Sequence, residues 1–273
     1  MPFEIPPKLI EILRSARQIA VLSGAGISAE SGVPTFRDAQ TRPSAGSGQA
    51  LWAQYDPTEL ATPEAFRRNP KLVWEWYQWR RELVSQAQPN PGHLALADIE
   101  HQLTNPTPLR FGDKRHQLLF TLITQNVDGL HQRAGSEHVI ELHGNIHRTK
   151  CFSENIIIED WPDLGETPPR CPRCGGYLRP DVVWFGEAMP DAEWRAASEA
   201  VWTCDVFFSI GTSALVQPAA ALPYRALERG AVVVEINPDE TPLTGDVTFS
   251  LRGKAGEVLP ALVLKWPFGS DEM

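Results

Sequence analysis

Five short, mostly apolar segments limit what this chain can fold into more than any other feature of its sequence. They are four to six residues long and lack the polar–apolar alternation of strands that are exposed on one face. Strands that are apolar on both sides are typical of a parallel sheet covered by helices on both faces. The segments are Ile19–Leu22, Leu118–Ile123, Val139–Leu142, Asp205–Ile210 and Ala231–Ile236. We therefore predict an α/β fold built on a doubly wound, Rossmann-like parallel sheet.

Each of these segments is followed by small or polar residues that are typical of turns. In open α/β sheets, ligands bind beyond the carboxyl ends of the strands, so the turns are predicted to form one site. They are Ser23–Gly26, Thr124–Asn126, His143–Asn145, Gly211–Ser213 and Asn237–Asp239.

The chain is predicted to form a single domain, 1–273, in which two stretches interrupt the α/β pattern. The boundaries are about 1–38, 90–148 and 181–273 for the large Rossmann-like lobe, 39–89 for a helical insert and 149–180 for a small, zinc-ribbon-like module. The insert begins with a Gly-, Ser- and Pro-rich stretch, 39–50, that suits either a mobile lid or a plain linker. It continues into residues 70–86, whose spacing predicts a helix. The module holds a Cys-x-x-Cys pair among five prolines.

Charge and hydropathy argue against two classes of partner. Lys and Arg total 25 against 34 Asp and Glu, and the resulting net charge of −9 disfavours sequence-independent binding to nucleic acid. No apolar run approaches the roughly 18 residues that a membrane-spanning helix needs. The segment Met1–Leu22 carries charged residues and lacks the continuous apolar core of a secretion signal, so a cytoplasmic location is predicted.

The turn Gly24–Ala29 follows the first strand and fits the GxGxxG/A pattern of turns that bind a pyrophosphate. Gly32 and Pro34 are expected to end the following helix early, and residues 39–55 contain no acidic residue to hold a ribose. Both features argue against an ordinary nicotinamide dehydrogenase. By itself the motif is also compatible with a tight strand-to-helix turn that binds nothing.

Several motifs in one order, from residue 20 to about residue 260, resemble those of the sirtuin family. They are Gly24–Ser28, Gly32–Arg37, Thr124–His131, Glu141–Gly144, Pro180–Glu187, Gly211–Ser213, Ile236–Pro238 and Gly253–Ala255. The resemblance implies NAD-dependent removal of acyl groups from protein lysines, with nicotinamide and an O-acyl-ADP-ribose as the other products. The alternatives are a deacetylase or an ADP-ribosyltransferase on the same fold, an NAD-dependent oxidoreductase, and a non-catalytic NAD or ADP-ribose sensor.

The resemblance assigns catalytic roles to Asn126, Asp128 and His143. The first two would lie beside the ribose and the nicotinamide, and His143 would be the general base, because imidazole has an unperturbed pKa near neutrality. The alternative is a histidine with no catalytic role. The resemblance also implies an NAD pocket, for which ligand-free turn and helix-cap chemistry is the alternative. The predicted cofactor residues are Gly24, Ala25, Gly26, Ser28, Phe36, Arg37, Gln125, Asn126, Asp128, Gly211, Thr212, Ser213, Asn237 and Ala255.

Two groups of residues are predicted to bind the acylated substrate. One group matches the sirtuin stretch that pairs with the substrate backbone by strand addition, although such an apolar run is also typical of a core. Its members are Val183, Trp184, Phe185 and Gly186. The other group is Tyr77 and Arg80, which share one helical face, where a phenol and a guanidinium are able to bind one carboxylate. This region resembles that of class III sirtuins, which prefer malonyl, succinyl or glutaryl lysine; the alternative is a solvated arginine beside a packed tyrosine.

The metal site departs from the sirtuin pattern of two Cys-x-x-Cys pairs. Cys171 and Cys174 form one pair, but Glu154 stands where a partner for Cys151 is expected. Three thiolates and a carboxylate are able to bind Zn²⁺ tetrahedrally, although less tightly than four thiolates. We therefore predict a structural zinc on these four residues, with packing alone as the alternative, and a core position for Cys204.

The expected partners are NAD as cofactor and proteins that carry acylated lysines as substrates. Strand addition reads little of the peptide sequence, so many targets are predicted. We expect no membrane and no direct nucleic-acid partner, and a monomer is favoured.

Overall fold

A six-stranded parallel sheet lies at the centre of the protein. The structure is a computed structural model that describes residues 4–35, 55–104 and 119–266. The strands in chain order are β1 (Gln18–Ser23), β2 (Leu119–Thr124), β3 (Val139–Glu141), β4 (Gly144–Cys151), β5 (Leu178–Val182), β6 (Val206–Ile210), β7 (Val232–Asn237) and β8 (Phe249–Arg252). The large sheet has the order β3-β2-β1-β6-β7-β8, whereas β4 and β5 form a separate antiparallel pair. The predicted doubly wound fold is confirmed, and its strand order reverses between β1 and β6.

The strand β8 at one edge of the large sheet is an element that the sequence does not predict. It has four residues, of which only Leu251 is buried. A short edge strand needs no continuous apolar run, because a single buried side chain is enough to anchor it. Our prediction identifies the other five strands of this sheet to within one or two residues.

Ten helices and one 3₁₀ turn, Ala219–Ala221, surround the sheets in the described ranges. The helices are α1 (Pro7–Ser15), α2 (Ala25–Ala29), α3 (Pro57–Leu60), α4 (Pro63–Arg68), α5 (Pro70–Gln86), α6 (Pro91–Thr104), α7 (Leu130–Arg133), α8 (Asp191–Thr203), α9 (Leu222–Glu228) and α10 (Ala255–Lys265). None of these helices combines the length and the apolar character that crossing a bilayer requires.

Helices cover the large sheet on both faces. On one face, α1, α6 and α10 contribute Leu13, Leu96 and Leu259 to a core that includes Val21 of β1. On the other face, α8 packs against β1 and β3, and α9 packs against β6 and β7, with Leu222 in a second core. Because both faces are covered, the central strands are buried along almost their whole length, as their apolar sequences require.

A smaller lobe is built from the β4–β5 pair together with α4 and α5. Aromatic side chains fill its core, in which Phe66, Trp76 and Trp184 are almost completely buried. A satellite cluster includes Cys151 and Cys171. Strand β4 begins before the predicted 149–180 module and β5 ends after it, so the antiparallel pair extends beyond both ends of the predicted module.

Candidate functional site

Two glycine turns meet where the strand order reverses, between the ends of β1 and β6. The amide of Gly24 donates to the Ile210 carbonyl (2.9 Å), and the amide of Gly26 donates to the Gly211 carbonyl (2.8 Å). A Cβ atom on Gly26 would lie 2.7 Å from that carbonyl oxygen, closer than real Cβ contacts allow. These two amides are therefore engaged within the protein, and contact of the Gly24–Ala29 turn with NAD stays a prediction. The glycines are needed because the two turns pack backbone against backbone.

The Asn126 side chain links the end of β2 to the β1 turn. Its Nδ2 donates to the Gly24 carbonyl oxygen (3.1 Å) and to Ser28 Oγ (3.0 Å), and its backbone amide donates to Thr124 Oγ1 (3.1 Å). Only 8% of Asn126 is exposed. Because both protons of the side-chain amide are engaged, the group that Asn126 can offer to a ligand is its carbonyl oxygen.

Asp128 is a buried carboxylate on the same loop. Its Oδ1 accepts a hydrogen bond from the Leu130 amide (2.9 Å), and Gly129 adopts φ +68°, which brings that amide back towards the carboxylate. Burial raises the pKa of Asp128, while the Leu130 amide and the Ser28 hydroxyl oppose the shift by hydrogen bonding. In its ionised form the group can only accept hydrogen bonds, which suits it to the hydroxyl groups of a sugar.

His143 lies beyond β3, beside the end of β2. Pairing of Thr124 with Glu141 between these strands brings the imidazole to Gln125, where Nδ1 lies 2.9 Å from the backbone carbonyl oxygen. A carbonyl can only accept, so Nδ1 carries a proton and Nε2 of the neutral ring has a free lone pair. Burial lowers the pKa of His143, and the hydrogen bond to Gln125 opposes that shift. The ring is therefore a neutral base at pH 7.

Two further buried histidines, which the sequence does not single out, lie behind Ser28. His93 at the start of α6 accepts a hydrogen bond at Nδ1 from the Asn90 amide (3.3 Å), so its Nε2 carries the proton and faces Ser28 Oγ at 3.4 Å. Burial lowers the pKa of His93 to about 4. The His131 ring lies 4.9 Å away, and its pKa is lowered to about 3 by burial and by His93. The Asn-Pro-Gly-His order at the start of α6 is typical of a helix start, but it does not indicate the contact with Ser28.

The ends of β6 and β7 form the opposite side of the crevice. Asn237 Nδ2 donates to the Thr212 carbonyl (2.7 Å), and Thr212 Oγ1 shares a hydrogen bond with Ser209 Oγ (2.9 Å). Ser213 is half-buried and follows in the same turn, and Ala255 begins α10. These polar groups hold the turns, and the contact with NAD predicted for these residues stays a prediction. Two further cofactor candidates, Phe36 and Arg37, lie outside the described residues, as does the 39–50 stretch.

Tyr77 and Arg80 lie one turn apart on α5, which spans the predicted helix. Tyr77 is buried, and its Oη accepts a hydrogen bond from Trp184 Nε1 (2.9 Å). Burial raises the pKa of Tyr77 to about 12, and the positive charge of Arg80 opposes the shift. Arg80 is half-buried, with its Cζ 5.0 Å from the centre of the Trp76 ring. The structure therefore brings a protonated phenol and a guanidinium to one place.

The predicted substrate strand ends earlier than its sequence indicates. Strand β5 ends at Val182, and the next three amides are engaged within the protein. Val183 donates to His143 (2.9 Å), Trp184 to Glu187 Oε2 (2.8 Å) and Phe185 to Ala61 (2.9 Å). Phe185 is 45% exposed, whereas Trp184 is 1% exposed, so the Trp184 side chain belongs to the core. Pairing of the Val183–Gly186 backbone with a substrate peptide stays a prediction. The apolar run alternates between core and surface without continuing the ladder, and Gly186 follows in a turn.

Cys151, Glu154, Cys171 and Cys174 form a compact cluster at the end of the smaller lobe. Each offers one ligand atom, and these atoms all lie within 4.8 Å of one another. The ligands of a tetrahedral zinc with bonds of about 2.3 Å are roughly 3.8 Å apart, so the cluster is of the right size. The amides of Glu154 and Gly176 point at two of the sulfurs, each at 3.4 Å. Cys204 lies apart from this cluster, in the core between α8 and the sheet.

Comparison with known proteins agrees with this geometry. The family model described as Sir2 family matches residues 24–218. The NAD-dependent protein deacylase of Methylococcus capsulatus is 48% identical over 268 residues, which cover 95% of this chain and 96% of that protein. A crystal structure of a Sir2 homologue–NAD complex has a TM-score of 0.81 at 45% identity and covers 96% of this chain and 94% of its own. A mutant Sir2 homologue in complex with 2′-O-acetyl-ADP-ribose has a TM-score of 0.80 at 45% identity and covers 96% of each chain.

Proposed function

Because the chain belongs to the Sir2 family, we propose that it is an NAD-dependent protein-lysine deacylase that prefers malonyl and succinyl groups. The relative named above as a deacylase matches this chain over nearly its whole length. The single observation that carries the acyl preference is the juxtaposition of Tyr77 and Arg80 on α5. The substrates are proteins with acylated lysines.

The residues around the crevice have complementary tasks in this reaction. NAD, when bound, supplies an electrophilic ribose carbon, and the substrate supplies its acyl oxygen as the nucleophile. The Asn126 carbonyl oxygen and the Asp128 carboxylate accept hydrogen bonds from the ribose side and orient it. His143 takes the proton of a ribose hydroxyl at Nε2, because its Nδ1–H is held by the Gln125 carbonyl. The burial of Asn126 and Asp128 keeps water away from the reacting atoms.

The acyl preference follows from the charge at the end of the acyl chain. A malonyl or succinyl group ends in a carboxylate, and a charged group leaves water only where opposite charge and hydrogen-bond donors replace its hydration. Arg80 supplies the positive charge, and Tyr77 supplies a phenol O–H, whose pKa burial raises to about 12. An acetyl group has no carboxylate and gains nothing from either residue.

The cysteine cluster fits a structural zinc and has no part in the chemistry. Cys151, Cys171 and Cys174 would bind as thiolates and Glu154 as a carboxylate, a donor set that zinc accepts. Such a site contributes its binding energy to folding, here of the loops between β4 and β5. Arg173 lies 3.4 Å from the Glu154 carboxylate and competes with the metal for it.

Turnover of a matched peptide series tests the proposal. One peptide carries an acetyl, malonyl or succinyl group, or no group, on its lysine, and NAD-dependent products are measured by mass spectrometry. Faster turnover of malonyl and succinyl peptides than of the acetyl peptide is the expected result. If the acetyl peptide is turned over fastest, the enzyme class stands and the acyl preference is refuted. Nicotinamide release without any deacylated peptide would instead favour the transferase alternative, and NAD binding without nicotinamide release would favour the sensor.

A further inference from the structure

The indole of Trp184 is placed against the acyl-binding tyrosine. Its Nε1–H donates to Tyr77 Oη at 2.9 Å, and the two rings are stacked with centres 6.2 Å apart and planes 29° apart. An indole N–H can only donate, so the phenol oxygen is the acceptor in this bond. The proton of Tyr77 therefore points away from Trp184.

Trp184 is held at its backbone and at its ring. Its amide donates to Glu187 Oε2 (2.8 Å), and the same carboxylate accepts from both terminal nitrogens of Arg179 (2.5 and 3.0 Å). The Arg179 guanidinium lies 3.2 Å from the centre of a Trp184 ring and also donates to the Val182 carbonyl (2.6 Å). Arg179 is only 2% exposed. This ion pair, in which Arg179 is buried and Glu187 is half-buried, restrains the orientation of the indole.

We propose that Trp184 is a positioning residue for acyl selectivity: its N–H occupies the acceptor side of Tyr77 and turns the phenol O–H towards the carboxylate of an acidic acyl group. The inference rests on the acyl preference proposed above. Without this N–H, the phenol O–H can rotate and point in several directions. It is then no longer aligned as a donor beside Arg80. Trp184 touches the substrate carboxylate only through Tyr77.

The dipeptide Val183–Trp184 contacts both the acyl-binding helix and the catalytic loop. Val183, which precedes Trp184, donates to the backbone carbonyl of His143 (2.9 Å). The hydrogen bond from Trp184 to Tyr77 joins residues that are 107 positions apart in the chain. Two adjacent residues therefore contact both the catalytic loop and the acyl-binding phenol.

A double-mutant cycle on Trp184 and Tyr77 tests this inference. Trp184→Phe keeps an aromatic ring and removes the N–H, and Tyr77→Phe removes the acceptor oxygen together with its proton. The loss of one aligned neutral hydrogen bond lowers the succinyl-to-acetyl selectivity by about 3–10-fold, chiefly through KM for the succinyl peptide. We expect the double variant to have the same selectivity as Tyr77→Phe alone, because Trp184 acts through that oxygen.

Two further variants control for the possibility that Trp184→Phe alters selectivity through misfolding. Trp74→Phe removes a different buried indole, which lies on α5 in the separate cluster around Cys151. This variant should leave the selectivity unchanged. Benzothienylalanine at position 184 replaces the N–H by sulfur with almost the same ring shape, and it serves if Trp184→Phe does not fold.

The outcomes separate this inference from the proposed function. The inference is overturned if the losses of selectivity in the two single variants add in the double variant. It is also overturned if neither replacement of Trp184 alters the selectivity. In both cases the wild-type preference for succinyl peptide stands. A wild-type protein that turns over acetyl peptide faster than succinyl peptide overturns the acyl preference and this inference together.

Discussion

Methionine substitutions at Arg80 and Arg81, which are adjacent on α5, should affect different properties. Arg80→Met should change the acyl selectivity, and Arg81→Met should change the stability. Arg80 lies beside Tyr77 and over the Trp76 ring. Arg81 instead donates to the Ile146 carbonyl (2.5 Å), to the Arg148 carbonyl (2.9 Å) and to Thr149 Oγ1 (3.0 Å) on β4. The first arginine is proposed to bind substrate, whereas the second holds the smaller lobe together.

The magnitude for Arg80→Met follows from the type of bond that is lost. A hydrogen bond to a charged group contributes about 1.5–3 kcal/mol, and about 1.4 kcal/mol corresponds to a tenfold change in rate. Methionine keeps much of the apolar stem of arginine, so packing against Trp76 is largely retained. We therefore expect the ratio of kcat/KM for succinyl peptide to that for acetyl peptide to fall by about 10–150-fold.

Arg81→Met should act on stability instead. It leaves two carbonyls and a hydroxyl of β4 with one partner fewer, at a cost of about 1–3 kcal/mol. For a domain of this size each kcal/mol lowers Tm by about 2–4 °C. The ratio of succinyl to acetyl turnover should stay at its wild-type value.

The assay is steady-state kinetics on the two peptides with saturating NAD, together with thermal unfolding of all three proteins. If Arg80→Met lowers turnover of both peptides by the same factor, Arg80 does not recognise the acyl carboxylate. If Arg81→Met changes the selectivity as strongly as Arg80→Met, the assignment of separate roles to the two arginines is wrong.

Three further predictions concern the base, the glycine turns and the metal. Because burial lowers the pKa of His143, kcat/KM should fall on the acidic side only below pH 6.5. His143→Ala should abolish the activity and with it this pH dependence. An acidic limb above pH 7 would contradict the assignment of His143 as a buried, neutral base. Gly26→Ala should lower the free energy of unfolding by about 1–3 kcal/mol, because its Cβ would lie 2.7 Å from the Gly211 carbonyl oxygen; an unchanged Tm in thermal unfolding would show that the two turns can separate at little cost. Elemental analysis should find about one zinc per chain and less in Cys171→Ser, with a lower Tm after chelation; well under one zinc in the wild type rules out the ligand set Cys151, Glu154, Cys171 and Cys174.

The order of local elements is determined by the sequence itself. The central strands are apolar on both sides because helices cover both faces of the sheet, so their positions can be predicted from hydropathy alone. The early end of α2 follows from local chemistry, since Gly32 adopts φ +80° and Pro34 follows two residues later. The spacing of Tyr77 and Arg80 on one helical face is likewise a local property.

The site is less completely predictable, because its contacts join distant parts of the chain. Gly24 and Gly26 fit a phosphate-binding pattern, yet their amides are used by the β6 turn, which lies almost 190 positions away in the sequence. His93 reaches Ser28 across 65 positions, and no local pattern indicates that contact.

Trp184 is the clearest example of a contact that the sequence does not determine. Its sequence context, an apolar run after β5, is shared by exposed and buried strands alike. Only the packing of α5 against the β4–β5 pair decides that its ring is buried and bonded to Tyr77. The hydropathy pattern of a segment indicates how deeply that segment is buried on average. Which atom lies opposite a buried polar group depends on the register and packing of elements far apart in the chain, and only the tertiary structure decides it.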